Sequence, residues 1–463
     1  MSDHRTARGG VTRRAFLRSS AAGGALAVTG PLACGPAPAQ TVEQPLDDFP
    51  LEELTLDALE TALSAGEWTS RQVVEAYLER IASLNEEGPA LRAIIEVNPE
   101  AGALADALDR ERREGAIRGP LHGVPVVLKD NIDTADAMTT TAGSLALAGW
   151  RPPEDAGLVD RLRASGAVLL AKANLSEWAN FRSTRSSSGW SGRGGQCRNP
   201  YVLDRNPCGS SSGSGVAVSA NLTMLAVGTE TDGSIVCPSS ANGVVGIKPT
   251  VGLVSRSGII PISQSQDTAG PMARTVRDAA VLLGVLAGSD PRDPATAEAD
   301  ARRQDDYTRF LDRDGARGMR IGVVRRLLGF HDEVDAVVEE AIAILEAAGA
   351  VVVDPVELSD DRAGAGASLG AAETDVLLYE FKDGLNAYLA RRPPDAEVRS
   401  LADLIAFNAR HADDEMPYFG QERLVAAEAR GPLSDPRYLT ALERARRLAR
   451  AEGIDRAMDE HRL

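Results

Sequence analysis

Apolar positions recur at spacings of three and four along residues 55 to 84, interrupted once at Gly66. The pattern predicts two helices, the second opened by Thr69 with Gln72 three residues on, a capping box in which each side chain bonds the other's backbone N–H. Val73, Val74, Tyr77, Leu78, Ile81 and Leu84 fall on the core face of that second helix. A third helix is expected to open at Pro99, where a missing N–H costs nothing, and to run to about residue 114. Beyond it the period changes. Residues 124–128 form a short apolar run ending in Lys129-Asp130-Asn131, the pattern of a buried strand that emerges among polar groups. Residues 167–170, 225–227, 244–247, 321–324 and 351–353 read alike, with helical stretches between several of them, one from about 333 to 348. Strands alternating with helices predict an α/β sheet packed by helices on both faces. No internal repeat or charged linker divides residues 40–463, which are expected to form one domain.

Composition narrows the function classes. The 463 residues are 43% apolar and 25% charged, as in a globular protein with a large core, and no apolar run reaches the roughly 18 residues that a membrane-spanning helix needs. A formal charge of −17, with no cluster of Lys and Arg among aromatics, repels a phosphate backbone, so no nucleic-acid partner is expected. His4, His122, His331, His411 and His461 are scattered, and none stands at metal-ligand spacing from another His or Cys, so no metal site is expected. Arg13-Arg14, followed by Phe16-Leu17 and an uncharged Ala/Gly-rich stretch to Val42, resembles a twin-arginine export signal over residues 1–39. This implies an extracytoplasmic location, with cleavage after Ala39 or a lipid anchor on Cys34 as alternatives.

Of the 50 basic residues only Lys129, Lys172, Lys248 and Lys382 are lysines, so each invites a reason: a buried Lys can lose its proton and an Arg cannot. Lys129 follows an apolar strand, where burial should draw its pKa down from about 10.4 and make it a base for a serine; pairing with Asp130 is the structural alternative. Serines abound nearby. Between Ser183 and Gly215, 16 of 33 residues are Ser or Gly, the composition of a linker, yet a helix-compatible apolar stretch and a second glycine segment, residues 228–234, follow. Two such turns beside buried elements can gather backbone N–H groups and hydroxyls at one site. Gly209-Ser210-Ser211-Ser212-Gly213 also matches the G-x-S-x-G elbow with Ser211 as nucleophile, but that reading needs a catalytic His downstream, and His331, His411 and His461 stand in helical or polar contexts. Cys197, Cys208 and Cys237, an odd set, leave at least one thiol free; buried small hydrophobic side chains are expected, not a disulfide framework.

Four longer motifs resemble, in order and spacing, those of the amidase signature family: Gly123-Val-Pro-Val-Val-Leu-Lys-Asp-Asn131, Pro207-Cys-Gly-Ser-Ser-Ser-Gly-Ser-Gly215, Gly228-Thr-Glu-Thr-Asp-Gly-Ser-Ile235 and Gly243-Val-Val-Gly-Ile-Lys-Pro-Thr250. The match is strong over residues 50 to 290, and the wording of residues 174–181, 229–234 and 263–271 is most similar to bacterial peptide amidases. The resemblance implies a mixed β-sheet core covered on both faces by helices, and a serine amidohydrolase that needs no cofactor and takes a small-molecule or peptide amide. It implies Ser234 as nucleophile, Ser210 as proton relay behind a cis Gly209–Ser210 peptide, and Lys129 as base. The N–H groups of Thr231, Asp232, Gly233 and Ser234 would form the oxyanion hole, Thr229 and Ser211 would support the triad, and Ala179 and Asn180 would meet substrate. Lys172 and Lys248 are expected to be structural.

Some positions depart from the general family pattern. Cys208, Ser212 and Asp232 replace glycines, and Val236 stands where many members have Arg; Asp232 is itself similar to peptide amidases. After a helix expected from about residue 435 to 459, the family continues into a further strand and a proline-rich loop beside the cleft, whereas this sequence stops at Leu463. A weakly active or non-catalytic exported binding protein is therefore the alternative expectation, separated from an enzyme by turnover. A glutamine-hydrolysing amidotransferase subunit conflicts with the export signal.

Overall fold

In the computed structural model, which describes residues 49–358 and 368–463, the first two helices lie where the periodicity sets them. Helix α1 (Leu56–Ala65) ends at Gly66, whose φ of 72° suits a residue without a Cβ, and α2 (Ser70–Ile81) opens on the Thr69–Gln72 capping box. Helix α3 (Ala101–Arg113) starts two residues beyond Pro99. The reason is Asn98, which turns the chain first: its side chain accepts from Glu100 N (2.9 Å) and donates to Leu169 O (2.8 Å). The export signal, Cys34 and the cleavage site after Ala39 lie outside the described residues.

The central sheet has six strands in the order β1-β3-β2-β6-β8-β7: β1 (Ile94–Val97), β2 (Pro125–Lys129), β3 (Val168–Ala173), β6 (Leu225–Glu230), β7 (Val245–Gly246) and β8 (Thr268–Ala273). A hairpin of β4 (Trp190–Ser191) and β5 (Gly195–Gln196) stands apart. β3, β2 and β6 are parallel neighbours, while β1, β8 and β7 join antiparallel, so the sheet is mixed. Every residue of β2, β3, β6 and β8 is buried, as apolar runs covered on both faces require. Helices α3, α4 (Gly157–Ala164), α5 (Ser212–Ser219), α6 (Val236–Ala241) and α7 (Val276–Leu286) surround the sheet, and α3, α5 and α7 pack directly on its strands.

Two strands of the central sheet were not legible as such, nor was the β4–β5 hairpin. β1 is short and half-buried, and β8 reads Thr-Ala-Gly-Pro-Met-Ala, with a Gly and a Pro that argue against a central strand. Both fit for local reasons: Pro271 needs only its carbonyl, which accepts from Ile247 N (3.1 Å), and a Cβ on Gly270 would meet Ile247 O.

Beside this core, β9 (Arg320–Gly322), α8 (Asp332–Ala347) and β10 (Val351–Val353) form a parallel two-stranded unit. Helices α9 (Leu369–Leu389), α10 (Leu401–Arg410) and α11 (Glu422–Glu428) build a second apolar cluster with Leu147, Trp178, Phe181, Ile260 and Ile262. The single helix expected over 435–459 is interrupted: α12 (Pro436–Ala449) stops, Gly453 adopts ψ −106°, and a last helix spans Asp455–His461. Among the described residues, no helix is long and apolar enough to cross a membrane.

Candidate active site

Leu128 of β2 stands opposite Val227 of β6, so these parallel strands deliver Lys129 and Thr229 side by side at one end of the sheet. Lys129 is fully buried, and its Nζ lies 2.7 Å from Ser210 Oγ, 2.8 Å from Thr229 Oγ1 and 3.1 Å from Thr229 O. These three contacts are all to hydroxyl or carbonyl oxygen. Burial therefore lowers its pKa to about 7, opposed by the upward pull of Asp267 and Glu230. Asp130 serves elsewhere: it accepts from Thr141 Oγ1 and Gly143 N and stands 3.8 Å from Arg193.

The Ser/Gly segment is not a linker. Its Gly213 lets α5 approach the chain so closely that a Cβ would meet Ala93 O and the Asn174 backbone, and all eight residues of α5 are buried. Ser210 follows a cis Gly209–Ser210 peptide, and its carbonyl accepts from Ser176 N (3.1 Å). Ser211 N donates to Ser234 O (3.1 Å), which brings the two serine segments together. The Ser211 hydroxyl is buried, donating to Thr229 O (3.0 Å) and accepting from Thr229 N (3.2 Å), and no histidine is among its partners. Ser234, two residues before α6, keeps 8% exposure where Lys129 and Ser210 keep none, so of the three it is the one within reach of a ligand.

Glu230, the last residue of β6, was not singled out from the sequence. Its Oε1 accepts from Gly233 N (2.9 Å) and its Oε2 from Ile235 N (2.7 Å) and Val236 N (3.0 Å), so the turn into α6 is wrapped around one carboxylate. The signal was an acid within a glycine segment whose following N–H groups need an acceptor. Of the four N–H groups implied for the oxyanion hole, Gly233's is thus engaged by Glu230. Those of Thr231, Asp232 and Ser234 have no acceptor within the chain among the described residues. Asp267, also missed, accepts from Thr231 Oγ1, Ile262 N (2.8 Å) and Ser263 N (2.8 Å), and burial pushes its pKa up to about 6. Asn131 Nδ2 donates to Thr229 Oγ1 (3.0 Å).

A cavity of about 240 Å³ adjoins this cluster, walled by Asn131, Ala179, Thr229, Thr231, Ile260, Asp267 and Tyr388, among others. Ala179 reaches it on a run of left-handed residues, Trp178, Ala179 and Asn180, with φ of 51°, 51° and 71°. Asn180 is exposed and is not among the walls. Lys172 braces the sheet, donating to Ile132 O (2.5 Å) and Thr140 Oγ1 (2.9 Å), and Lys248 donates to Pro249 O (3.0 Å). Cys197 is a free, buried thiol, as expected, but Cys208 and Cys237 are joined in a disulfide with Cα atoms 6.0 Å apart. The expectation of two more buried hydrophobes fails because the fold brings the two serine segments together. Among the described residues, no group of three or more His, Cys, Asp or Glu side chains is gathered to hold a metal.

A family model described as Amidase matches residues 72–451. A probable amidase of Arabidopsis thaliana is 45% identical over 419 residues, covering 90% of this chain and 79% of the relative. The native peptide amidase of Stenotrophomonas maltophilia is 56% identical with a TM-score of 0.84, covering 90% of this chain and 83% of that one. An amidase family protein of Bacillus anthracis follows at 37% identity and a TM-score of 0.82, covering 89% and 80%. With a family model spanning most of the sequence and relatives at this identity over about nine-tenths of it, the chain belongs to the amidase signature family and is an amide-hydrolysing enzyme.

Proposed function

We propose that the chain hydrolyses a carboxamide through an acyl-enzyme on Ser234, with Ser210 passing the Ser234 proton to Lys129. The 2.7 Å contact between Lys129 Nζ and Ser210 Oγ carries the reading. Thr229 O can only accept, so a neutral Nζ keeps one N–H bond there; with its second N–H on Thr229 Oγ1, its lone pair turns to Ser210. Ser210 then donates to Nζ and accepts from Ser234 in one movement, and Ser234 Oγ attacks the amide carbon. The N–H groups of Thr231, Asp232 and Ser234 are the donors for the oxyanion. The proton returns through Ser210 to the departing amine, and water cleaves the ester by the same route, giving a carboxylic acid and ammonia or an amine.

The similarity to a peptide amidase, together with Asp232, favours peptide C-terminal amides over small aryl or aliphatic amides. Arg13-Arg14 supports export, and changing both to lysine is expected to hold the precursor in the cytoplasm. The deciding experiment measures ammonia release from the three amide classes and labels the enzyme with a fluorophosphonate. Label on the Ser234 peptide that vanishes in Ser234→Ala is the expected outcome; label on Ser211 overturns the mechanism.

A further inference from the structure

Cys208 stands two residues before the relay serine, on the loop that holds the cis peptide, and Cys237 stands three residues after the nucleophile, within α6. Their disulfide is a covalent tie between the two segments that must align Ser210 with Ser234. The other ties are hydrogen bonds: Ser211 N to Ser234 O (3.1 Å), and Asn242 Nδ2 to Pro207 O (2.9 Å) and Pro238 O (2.7 Å). Helix α6 has only six residues and no side-chain cap, and Val236 on it is 45% exposed, so little packing holds its outer side. Cys237 is exposed as well, so a dissolved thiol can reach the bridge. The walls of the cavity include no residue of either bridged segment, neither 207–212 nor 234–242.

We propose that the Cys208–Cys237 bridge is a positioning element for the catalytic serines and a thiol-exchange site through which reducing conditions lower turnover; this rests on the Ser234–Ser210–Lys129 reading. A thiolate of a dithiol reductant attacks Sγ of Cys237, the Cys208 thiolate leaves and takes a proton, and a mixed disulfide forms. The reductant's second thiol then closes on its own sulfur and releases Cys237 as a thiol. The dithiol is oxidised by two electrons and the bridge is reduced by two. Opening the tie loosens the approach of Ser210 to Ser234 and leaves the cavity intact, so kcat falls and KM does not. A loss of about tenfold in kcat is expected, since a misplacement of about 1 Å at a catalytic group can cost a hundredfold.

The test measures kcat and KM on one amide for the oxidised protein, the dithiothreitol-reduced protein and Cys208→Ser/Cys237→Ser, with accessible thiols counted and near-ultraviolet circular dichroism recorded at the assay temperature. The expected result is a folded reduced form and a folded double variant, both with kcat about tenfold lower and KM within about twofold. Oxidised glutathione restores the reduced wild type, and dithiothreitol has no effect on the double variant. Unchanged kcat once two further thiols have appeared overturns the proposal. So does loss of the dichroism signal together with activity, which assigns the bridge to stability alone. A fluorophosphonate control on the oxidised enzyme separates the two levels: label away from Ser234 overturns the acyl-enzyme reading, whereas label on Ser234 with kcat insensitive to reduction overturns only the redox inference.

Discussion

Burying Lys129 favours its neutral form, so between pH 7 and 10 the unfolded chain binds a proton that the folded chain does not. Stability gained by deprotonation therefore rises with pH across that window, and the lysine is a net cost at neutral pH. The thermal midpoint of Lys129→Met, measured against wild type, is expected to lose ground steadily from pH 7 to pH 9. On the proposed mechanism turnover follows the same proton: kcat/KM for ammonia release should climb with pH through about 7, where Nζ becomes neutral. Lys129→Arg should lose nearly as much as Lys129→Ala, on the order of 10² to 10⁴ in kcat/KM, because a guanidinium keeps its proton. Substantial activity in the arginine variant would remove the lysine base. The meeting of Lys129 with Ser210, and of the Ser210 and Ser234 segments, was legible because lysine is rare here and because the motifs around these residues are long. Glu230 and Asp267 were not, since each acts by accepting N–H or O–H groups that converge only once the turns are built.

At the scale of elements, the turn from β6 into α6 depends on one carboxylate taking three backbone N–H groups. Glu230→Gln puts an amide N–H₂ where an acceptor is needed, so the oxyanion segment should shift and kcat should fall by about a hundredfold, with slower fluorophosphonate labelling of Ser234 as the direct readout. Thr69→Ala offers the contrasting case. It removes one half of the capping box on α2, remote from the site, and should cost about 1 kcal/mol, seen as a lower thermal midpoint with unchanged turnover. That helix was legible because local rules and burial agree along it. β8 was not, since its Gly and Pro are tolerated only by what Ile247 presents to them, and the break at Gly453 interrupts a stretch whose periodicity alone reads as one helix.

At the scale of the whole molecule, a buried charge group ties the segment around residues 144–182 to Glu415 in the helical region that follows, 233 to 271 residues on. Arg182 Nη1 donates to Glu177 Oε1 (2.5 Å) and to Glu415 O (2.5 Å), and Glu415 Oε1 accepts from Leu145 N (2.6 Å) and Ser144 Oγ (3.1 Å). All three charged side chains are fully buried, and burial holds the Glu177 carboxyl well above the usual carboxylate range. Arg182→Met should cost about 3 to 5 kcal/mol, because it leaves the buried Glu177 and Glu415 carboxyl groups without the guanidinium they share; a thermal melt within a degree or two of wild type would contradict this. Lys129 meets Ser210 and Thr229 across 81 and 100 residues of sequence. A chain must spend the entropy of closing such loops before the contact returns anything, and the loop to Thr229 is the one that pairing β2 with β6 closes, so the Lys129 contacts wait for the centre of the sheet. A nascent chain can therefore own part of its sheet and still be inert toward every amide it meets.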